Sequence, residues 1–504
     1  MEEIGPRMVD LVAAGSSSSL DLSTDGIYVT LGGFAPMLPM LANKTLEELR
    51  AFEAQSEVNS ARYERLVQER YQSYLSYTKN LVDYAVSAKN LMIQDGAYSR
   101  EEMLAALQNV TAENVKSAAR DLLFSKPLAV SALAMGNLPE SAAQEMIGMV
   151  VDDLLNVSAV SEAAEAAEVQ IMNHVVDLKG PVEVRMVNPK PGDRNDALVL
   201  SLIHGVVDVQ SRVVYGLLGS ILGNLAFNEL RTERQLGYIV DGGMNVLGNA
   251  LYVSVIVQGT KERADQTEVL AELLLQKLMP EFLENMTEEE FQVHRGSFRD
   301  GLVAPPTSIT EEFGHFWSPT LLNGECRHLT DEMLTYLDVA VSSKQVIIDA
   351  WAQLLAGENG VRKKVVVKYF ADSAPMRPNA TEVQESLAKQ GISDEQIAFM
   401  LGEYGRTLVF DEATSRARGE LVEEFGMMSE ELRCSNTLKI NGTVNETVFV
   451  KGNATETSML SDRSIKALED ETPVANLIEA EESWRYPRKS MRGSRHTSLA
   501  REQA

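Results

Sequence analysis

The sequence is poor in most of the features that announce a function. Two cysteines in 504 residues, Cys326 and Cys434, cannot build a disulfide framework, and both are read as free thiols. No run of eighteen apolar residues occurs. The first residues, MEEIGPRMVDLVAAGSSSS, lack a basic end leading into an apolar stretch, so neither a membrane span nor a secretory leader is expected. Cations are short: 46 Lys and Arg stand against 73 Asp and Glu, and a net charge of -27 repels polyphosphates and argues against nucleic acid as a partner. Six histidines, at 174, 204, 294, 315, 328 and 496, never fall four apart, so the helical zinc pairs H-E-x-x-H and H-x-x-E-H are missing. C-x-x-C, G-x-S-x-G and the phosphate-binding G-x-x-x-x-G-K-[ST] are missing too. The chain by itself therefore shows no complete catalytic apparatus and no metal site. Eight N-x-[ST] triplets, beginning at Asn43, Asn109, Asn156, Asn285, Asn379, Asn441, Asn445 and Asn453, are read as chance, because without a leader they have no route to glycosylation.

What is present is a globular composition, 44% hydrophobic, in a chain too long for one core. DGIYVTLGG (25–33) reads as a strand, and 56–94 as one long helical stretch with apolar residues at three- and four-residue steps. Ser99 with a Glu three positions on is a capping box, and Thr111 opens a further helix. PLAVSALAMGN is an apolar strand, followed by the helical LPESAAQEMIGMVVDDLL. The same order recurs some 225 to 231 residues later. GIYVTL (26–31) matches ALYVSV (250–255), EEMLAALQNVTAENV (101–115) matches DEMLTYLDVAVSSKQV (331–346), and LAVSALA is answered by KVVVKYF. Two tandem copies of one α+β domain are expected, each a mixed or antiparallel sheet covered by helices. The second copy has some 85 residues ahead of Tyr252 and the first only 27 ahead of Tyr28, so the first is expected to lack its opening strands. A sheet without them has an exposed edge or an incomplete core. The expected divisions are a truncated repeat at 1–155, an acidic Ala-rich linker at 156–169, a complete repeat at 170–372, a helical extension at 373–433 and a disordered tail at 434–504, its last stretch basic.

One segment stands out. SRVVYGLLGSILGNLAFNELRTERQ (211–235) has a helical apolar repeat through Val214, Leu217, Leu218, Ile221 and Leu225, with Gly216, Gly219 and Gly223 marking close approach to a neighbour. Gly237 is expected to stop the helix in a left-handed conformation, and YIVDGGMNVLGNALYVSVIVQG then alternates like a hairpin. Arg231 falls near the last helical turn and Tyr238 at the first strand position. On pattern alone, the Arg can equally be a cation that favours the negative helix end.

FNELRTERQLGYIV closely resembles the C-terminal half of the insulysin, pitrilysin and nardilysin family of inverted-motif zinc metallopeptidases, whose pattern is F-N-x-L-R-T-x-x-Q-L-G-Y. Further similarity covers YVSVIVQ, NMTEEEFQVH, EEFGHFWSPTLLNGECRHLTDEMLTYL and, more weakly, LDLSTDGIYVTLGGF, over roughly residues 10 to 370. The resemblance implies four homologous α+β domains in two halves that close around a peptide, of which this chain is the third, truncated, and the fourth. It implies that Arg231 and Tyr238 reach substrate near the scissile bond and that Phe227 lines the pocket for the residue after it. A guanidinium and a phenol suit that role, since both donate hydrogen bonds to a peptide carbonyl or to the oxyanion of its hydrolysis. The family's zinc ligands and general base have no counterpart here. The resemblance therefore puts zinc in a missing N-terminal half, which becomes the expected partner beside peptide substrates, with no metal in this chain and a homodimer left open. APPTS (304–308) replaces the family's basic Lys-Pro-Lys-Lys segment, so polyanion regulation is not expected. A cytoplasmic location and a chain inactive alone are expected, either as half of an endopeptidase or as a non-catalytic peptide-binding subunit.

Overall fold

The computed structural model describes residues 9–22, 27–54, 59–76, 80–94, 97–123, 131–155, 168–170, 178, 180–323, 329–410, 437–439 and 447–451. Both cysteines and His174, His328 and His496 lie outside them.

The first part runs α1 (Val9–Ala13), β1 (Ser17–Leu22), β2 (Ile27–Gly32), α2 (Leu38–Ala54), α3 (Ser60–Leu75), α4 (Leu81–Ile93), α5 (Arg100–Leu107), α6 (Ala112–Leu123), β3 (Ser131–Met135) and α7 (Glu140–Leu155). The helix expected over 56–94 is two. Ser76 is extended at the end of α3, and α4 restarts at Asn80, whose N–H donates to Asp83 Oδ2 at 3.1 Å. A polar stretch that offers its own cap outcompetes continuation of the helix. The capping box at Ser99 is formed with Glu102. β1 and β2 make a two-stranded antiparallel sheet, and Leu41 and Leu49 centre a small core with Leu11, Leu20, Leu31 and Leu38. Leu22, at the end of β1, and Phe34, shortly after β2, are 71% and 68% exposed.

The second part runs β4 (Glu168–Gln170), β5 (Val182–Val187), β6 (Asp196–Val206), α8 (Val209–Ala226), β7 (Ile239–Leu247), β8 (Ala250–Gly259), α9 (Ala264–Leu273), α10 (Met279–Asn285), α11 (Glu288–Val303), α12 (Ile309–Asn323), α13 (Leu329–Val339), α14 (Lys344–Ala356), β9 (Lys364–Phe370), α15 (Ala380–Lys389), α16 (Asp394–Arg406) and β10 (Leu408–Phe410). Its six-stranded sheet has the order β10-β5-β9-β6-β8-β7. β10, β5 and β9 are parallel, and β9, β6, β8 and β7 are antiparallel. The fold is α+β. In the second part β9 joins the sheet of the β7–β8 hairpin, whereas in the first part β3 does not pair with the β1–β2 hairpin.

Strand alternation divides the sheet's two faces. One face, with Leu198, Leu200 and Leu202 of β6 and Val253, Val255 and Val257 of β8, packs on α8 and on Trp351 of α14. The other carries Val199, Ile203, Val365 and Val367 and is covered by Leu81, Ala85 and Ile93 of α4, a helix of the first part. The stretch Val209–Glu233 is long and apolar enough to cross a membrane by length and composition, and 56% of its apolar window is buried inside the protein.

The sheet does not end with β9. Residues after 373 return through α15 and α16 to add β10 beside β5, Leu408 pairing with Val182. Buried charges hold them there. Arg362, 1% exposed, is gripped by Glu272 of α9 and Glu403 of α16, while Lys364 and Lys368 of β9 reach Glu272, Glu268, Asp265 and Glu183. Arg185 and Arg377 close the ladder on Glu183 and Asp265. Within the tail expected to be disordered, Thr437–Lys439 (β11) pairs with β4 and Thr447–Lys451 (β12) with β3. An alternating run such as TVFVK satisfies its backbone by adding to an open edge. The rest of that tail lies outside the described residues.

Candidate functional site

The segment singled out by sequence begins in a capping box. Ser211 N donates to Asp208 Oδ1 at 2.6 Å, and Asp208 N to Ser211 Oγ at 2.9 Å. Beyond it α8 lies against β7 with no room for side chains between them. A Cβ on Gly219 would stand 2.5 Å from Met244 N, and one on Gly223 2.8 Å from the carbonyl oxygen of Gly242. The close approach expected from these glycines is what fixes the helix to the hairpin.

At Phe227 the helix widens. Residues Phe227–Glu233 form a π-helical turn, and Arg234 N donates to Glu229 O, five residues back, at 3.1 Å. One extra residue in the turn changes the direction in which the following side chains leave the helix, a distortion common at functional sites. The turn closes by a variant of the Schellman motif: Leu236 N donates to Leu230 O at 2.9 Å, and both side chains are buried together. The residue that takes the left-handed conformation is Gln235, at φ 53°, and not Gly237. Gly237 is needed for a different reason. Its Cβ would stand 2.0 Å from the carbonyl oxygen of Gln258, and a Cβ on Gly259 would stand 2.0 Å from that of Leu236. The two chains cross where only hydrogens fit. Lys261 Nζ donates to Arg234 O and ties the loop after β8 to the same turn.

Phe227, Arg231 and Tyr238 all face solvent. Arg231 lies with its guanidinium carbon 4.8 Å from the Phe227 ring centroid, a cation–π contact that limits its rotamers, while Phe227 keeps 45% of its surface exposed. Tyr238 is 79% exposed and makes no hydrogen bond or ring contact with any described residue. The structure thus joins Phe227 and Arg231 directly and sets Tyr238 beyond the turn on the first residue before β7. Neither donor is sealed in the core, and neither is spent in an internal ion pair.

A cleft of about 380 Å³ that the sequence gave no sign of lies nearby, at the ends of β6, β8 and β9. Arg194, Asp196, Thr260 and Arg263 line it, and none of the three singled-out residues does. Asp196 is already engaged: it accepts from Ala264 N at 2.9 Å and Ala371 N at 2.8 Å and pairs with Arg263 at 3.3 Å. Burial pushes its carboxyl up from the ordinary range, against those hydrogen bonds. Its chemistry is that of a strap holding the start of α9 to the strand ends. No group of three His, Cys, Asp or Glu among the described residues could hold a metal ion, so zinc does not fit the described part of this chain.

Comparison with known proteins places this geometry. Residues 217–317, which contain the π-turn, Arg231 and Tyr238, match a family described as PQQ synthase PqqF-like, C-terminal lobe domain 4. The chain is 25% identical to human insulin-degrading enzyme over 369 residues, 72% of this chain and 35% of that protein, and 21% identical to the Drosophila melanogaster insulin-degrading enzyme over 401 residues, 78% and 39%. A Schizosaccharomyces pombe protein, named as a candidate zinc protease, is 26% identical over 307 residues, 60% of this chain and 30% of that one. The chain spans about a third of the length of these curated relatives. A crystal structure of pitrilysin superimposes with a TM-score of 0.64 at 17% identity, covering 83% of this chain and 40% of that one, and shows a shared fold. In sequence and fold the chain is similar to the C-terminal half of the insulin-degrading enzyme and pitrilysin family.

Proposed function

We propose that this chain is the substrate-chamber half of an insulysin-like zinc metalloendopeptidase, and that Arg231 and Tyr238 donate hydrogen bonds to the scissile peptide of a substrate cut at a zinc centre held outside the described residues. The observation that carries this reading is the corner itself. A buried helix, a π-turn, a left-handed Gln235 and the Gly237–Gly259 crossing are stacked so that an arginine and a tyrosine stand in solvent with no hydrogen bond or ion pair to a described residue. Such an arrangement orders backbone around two donors whose own tips are left for a ligand. Phe227 holds Arg231 from one side and offers apolar surface to the residue after the cleaved bond. The partner in this reading is the N-terminal catalytic half, the substrates are peptides, and the compartment is the cytosol.

The test is Arg231→Ala in the enzyme assembled with its catalytic half. Loss of a donor made mainly in the transition state lowers kcat by roughly 100-fold or more with peptide affinity nearly unchanged. A rise in KM with kcat intact would instead assign the corner to peptide binding alone, as in a non-catalytic subunit. The purified chain without its partner is expected to cleave no peptide and to hold no stoichiometric zinc. One tightly bound zinc per chain in metal analysis overturns the proposal.

A further inference from the structure

α4 belongs to the first part of the chain but lies across the sheet of the second, and one of its inward residues is a lysine. Lys89 is 2% exposed. Its Nζ is 2.6 Å from the hydroxyl of Tyr252 on β8 and 3.8 Å from the centroid of that ring, and Tyr252 is its sole polar partner among the described residues. Tyr252 is itself 8% exposed, and burial raises its phenol, which therefore stays a neutral hydroxyl. A second contact seats the helix: Val82 N, in its first turn, donates to Gln258 Oε1 at 2.9 Å.

Among the described residues, none with a negative charge reaches the Lys89 ammonium. On α4, Asp83 is spent at the helix start on Asn80 N, and Tyr84 packs at the edge of the same apolar cluster. β9 presents Val365, Val367 and Tyr369, and β6 presents only apolar and hydroxyl side chains on this face. β7 carries Asp241 on this face, but exposed and paired with Ile256, two inward rungs from Tyr252. Glu183, Arg185, Lys364 and Lys368 alternate to the opposite face, where they pair with one another and with α9, and His204 stacks there on Tyr215 of α8.

We propose that Lys89 makes the seating of α4 on the second sheet sensitive to protons, the helix docking more tightly when the amine is free than when it is protonated. A buried amine facing a phenol and aliphatic side chains is stable neutral, whereas an ammonium there keeps only one hydrogen bond and the ring face. Burial accordingly lowers Lys89 from 10.5 to about 8. The undocked helix takes up its proton at the ordinary, higher value, so docking strengthens as pH rises from 8 to 10.5 and is weakest below 8. The two halves of the fold are then coupled by a contact that acid loosens.

Hydrogen exchange of the α4 amides in the full chain, corrected for intrinsic rates, tests this. Between pH 8 and 10.5 the opening constant of α4 falls by up to roughly 300-fold in the wild type, the factor set by a shift from 10.5 to about 8. Amides of β6, beneath it, serve as the control for global unfolding. In Lys89→Met the α4 profile is flat and its protection at pH 7 is higher than in the wild type, because an apolar side chain of similar length removes the buried charge. Wild-type α4 protection that does not rise over that range overturns the proposal by itself. So does a Lys89→Met chain whose profile runs parallel to the wild type.

Discussion

The sharpest stability prediction concerns Glu403. Its carboxylate is fully buried and accepts from Arg362 N at 3.1 Å, from Nε at 2.9 and 3.0 Å, and from one terminal nitrogen at 2.5 Å, while the other side of the guanidinium is held by Glu272 at 2.9 and 3.0 Å. Glu403→Gln keeps the volume and one acceptor but leaves Arg362 with a single counter-charge that Lys364 already shares at 2.9 Å. Breaking one partner out of a buried pair costs about 3 to 5 kcal/mol, and the retained amide places the expected loss near the lower figure. Urea unfolding followed by the fluorescence of Trp351, buried in the same core, reads it as a lower midpoint at unchanged slope. The double change Arg362→Met with Glu403→Leu removes one charge of each sign and is expected to recover most of that loss. A Glu403→Gln chain within about 1 kcal/mol of the wild type would refute the claim that this ladder pins α16 to the sheet.

Other outcomes follow from the same geometry. Burial pushes Glu268 and Glu272 up, but Lys368 and Lys364 for the first, and Arg362 and Lys364 for the second, hold each at about 2. Both folded values lie below the ordinary 4.5, so their stabilisation is present above pH 4.5 and is lost as pH falls from 4.5 towards 2, by at most about 3 kcal/mol each. Acid titration of Trp351 fluorescence should show the loss in that window. Gly237→Ala is expected to destabilise by about 3 kcal/mol or more, since its methyl carbon would meet a carbonyl oxygen at 2.0 Å. Proteolysis near Arg231 should increase with it. Gln235→Gly, by contrast, relieves a left-handed side chain at φ 53° and should be neutral or slightly stabilising in the same urea assay.

Much of the corner could be read from the chain. Apolar residues at helical spacing placed α8, and Gly219 and Gly223 marked the face that meets β7, because only a missing side chain lets a helix backbone touch a strand, while Gly216 makes room for Phe298 of α11. Most of the elements were legible for a similar reason: local periodicity records which face of each element is buried. The stop of the helix was misread, since a glycine is usually chosen for its positive φ, whereas here Gln235 takes that conformation and Gly237 answers a contact with Gly259 that lies 22 residues along the chain. Local sequence carries φ preferences and caps, and it carries nothing about which distant strand will pass within van der Waals distance.

The same limit explains the rest. Nothing in the local sequence marks the charges of α9, β9 and α16 as buried, yet Arg362, Lys368, Glu272 and Glu403 are, because their compensating partners come from different elements and only the fold brings opposite signs together. Residues after 373 looked like an appendage for want of a strand pattern longer than Leu408–Phe410. Pairing with β5 is what makes three residues a strand. Nothing local to Lys89 tells which face of its helix will be covered. That lysine points inward because α4 lies across the sheet of the second part, on Val199, Ile203, Val365 and Val367. By itself the sequence determined most of the elements and the helix-to-strand corner that carries Arg231 and Tyr238, properties of neighbouring residues. The tertiary structure alone decided which charges are buried, which glycine is indispensable and which helix serves which sheet, because each depends on surface brought into contact from far along the chain.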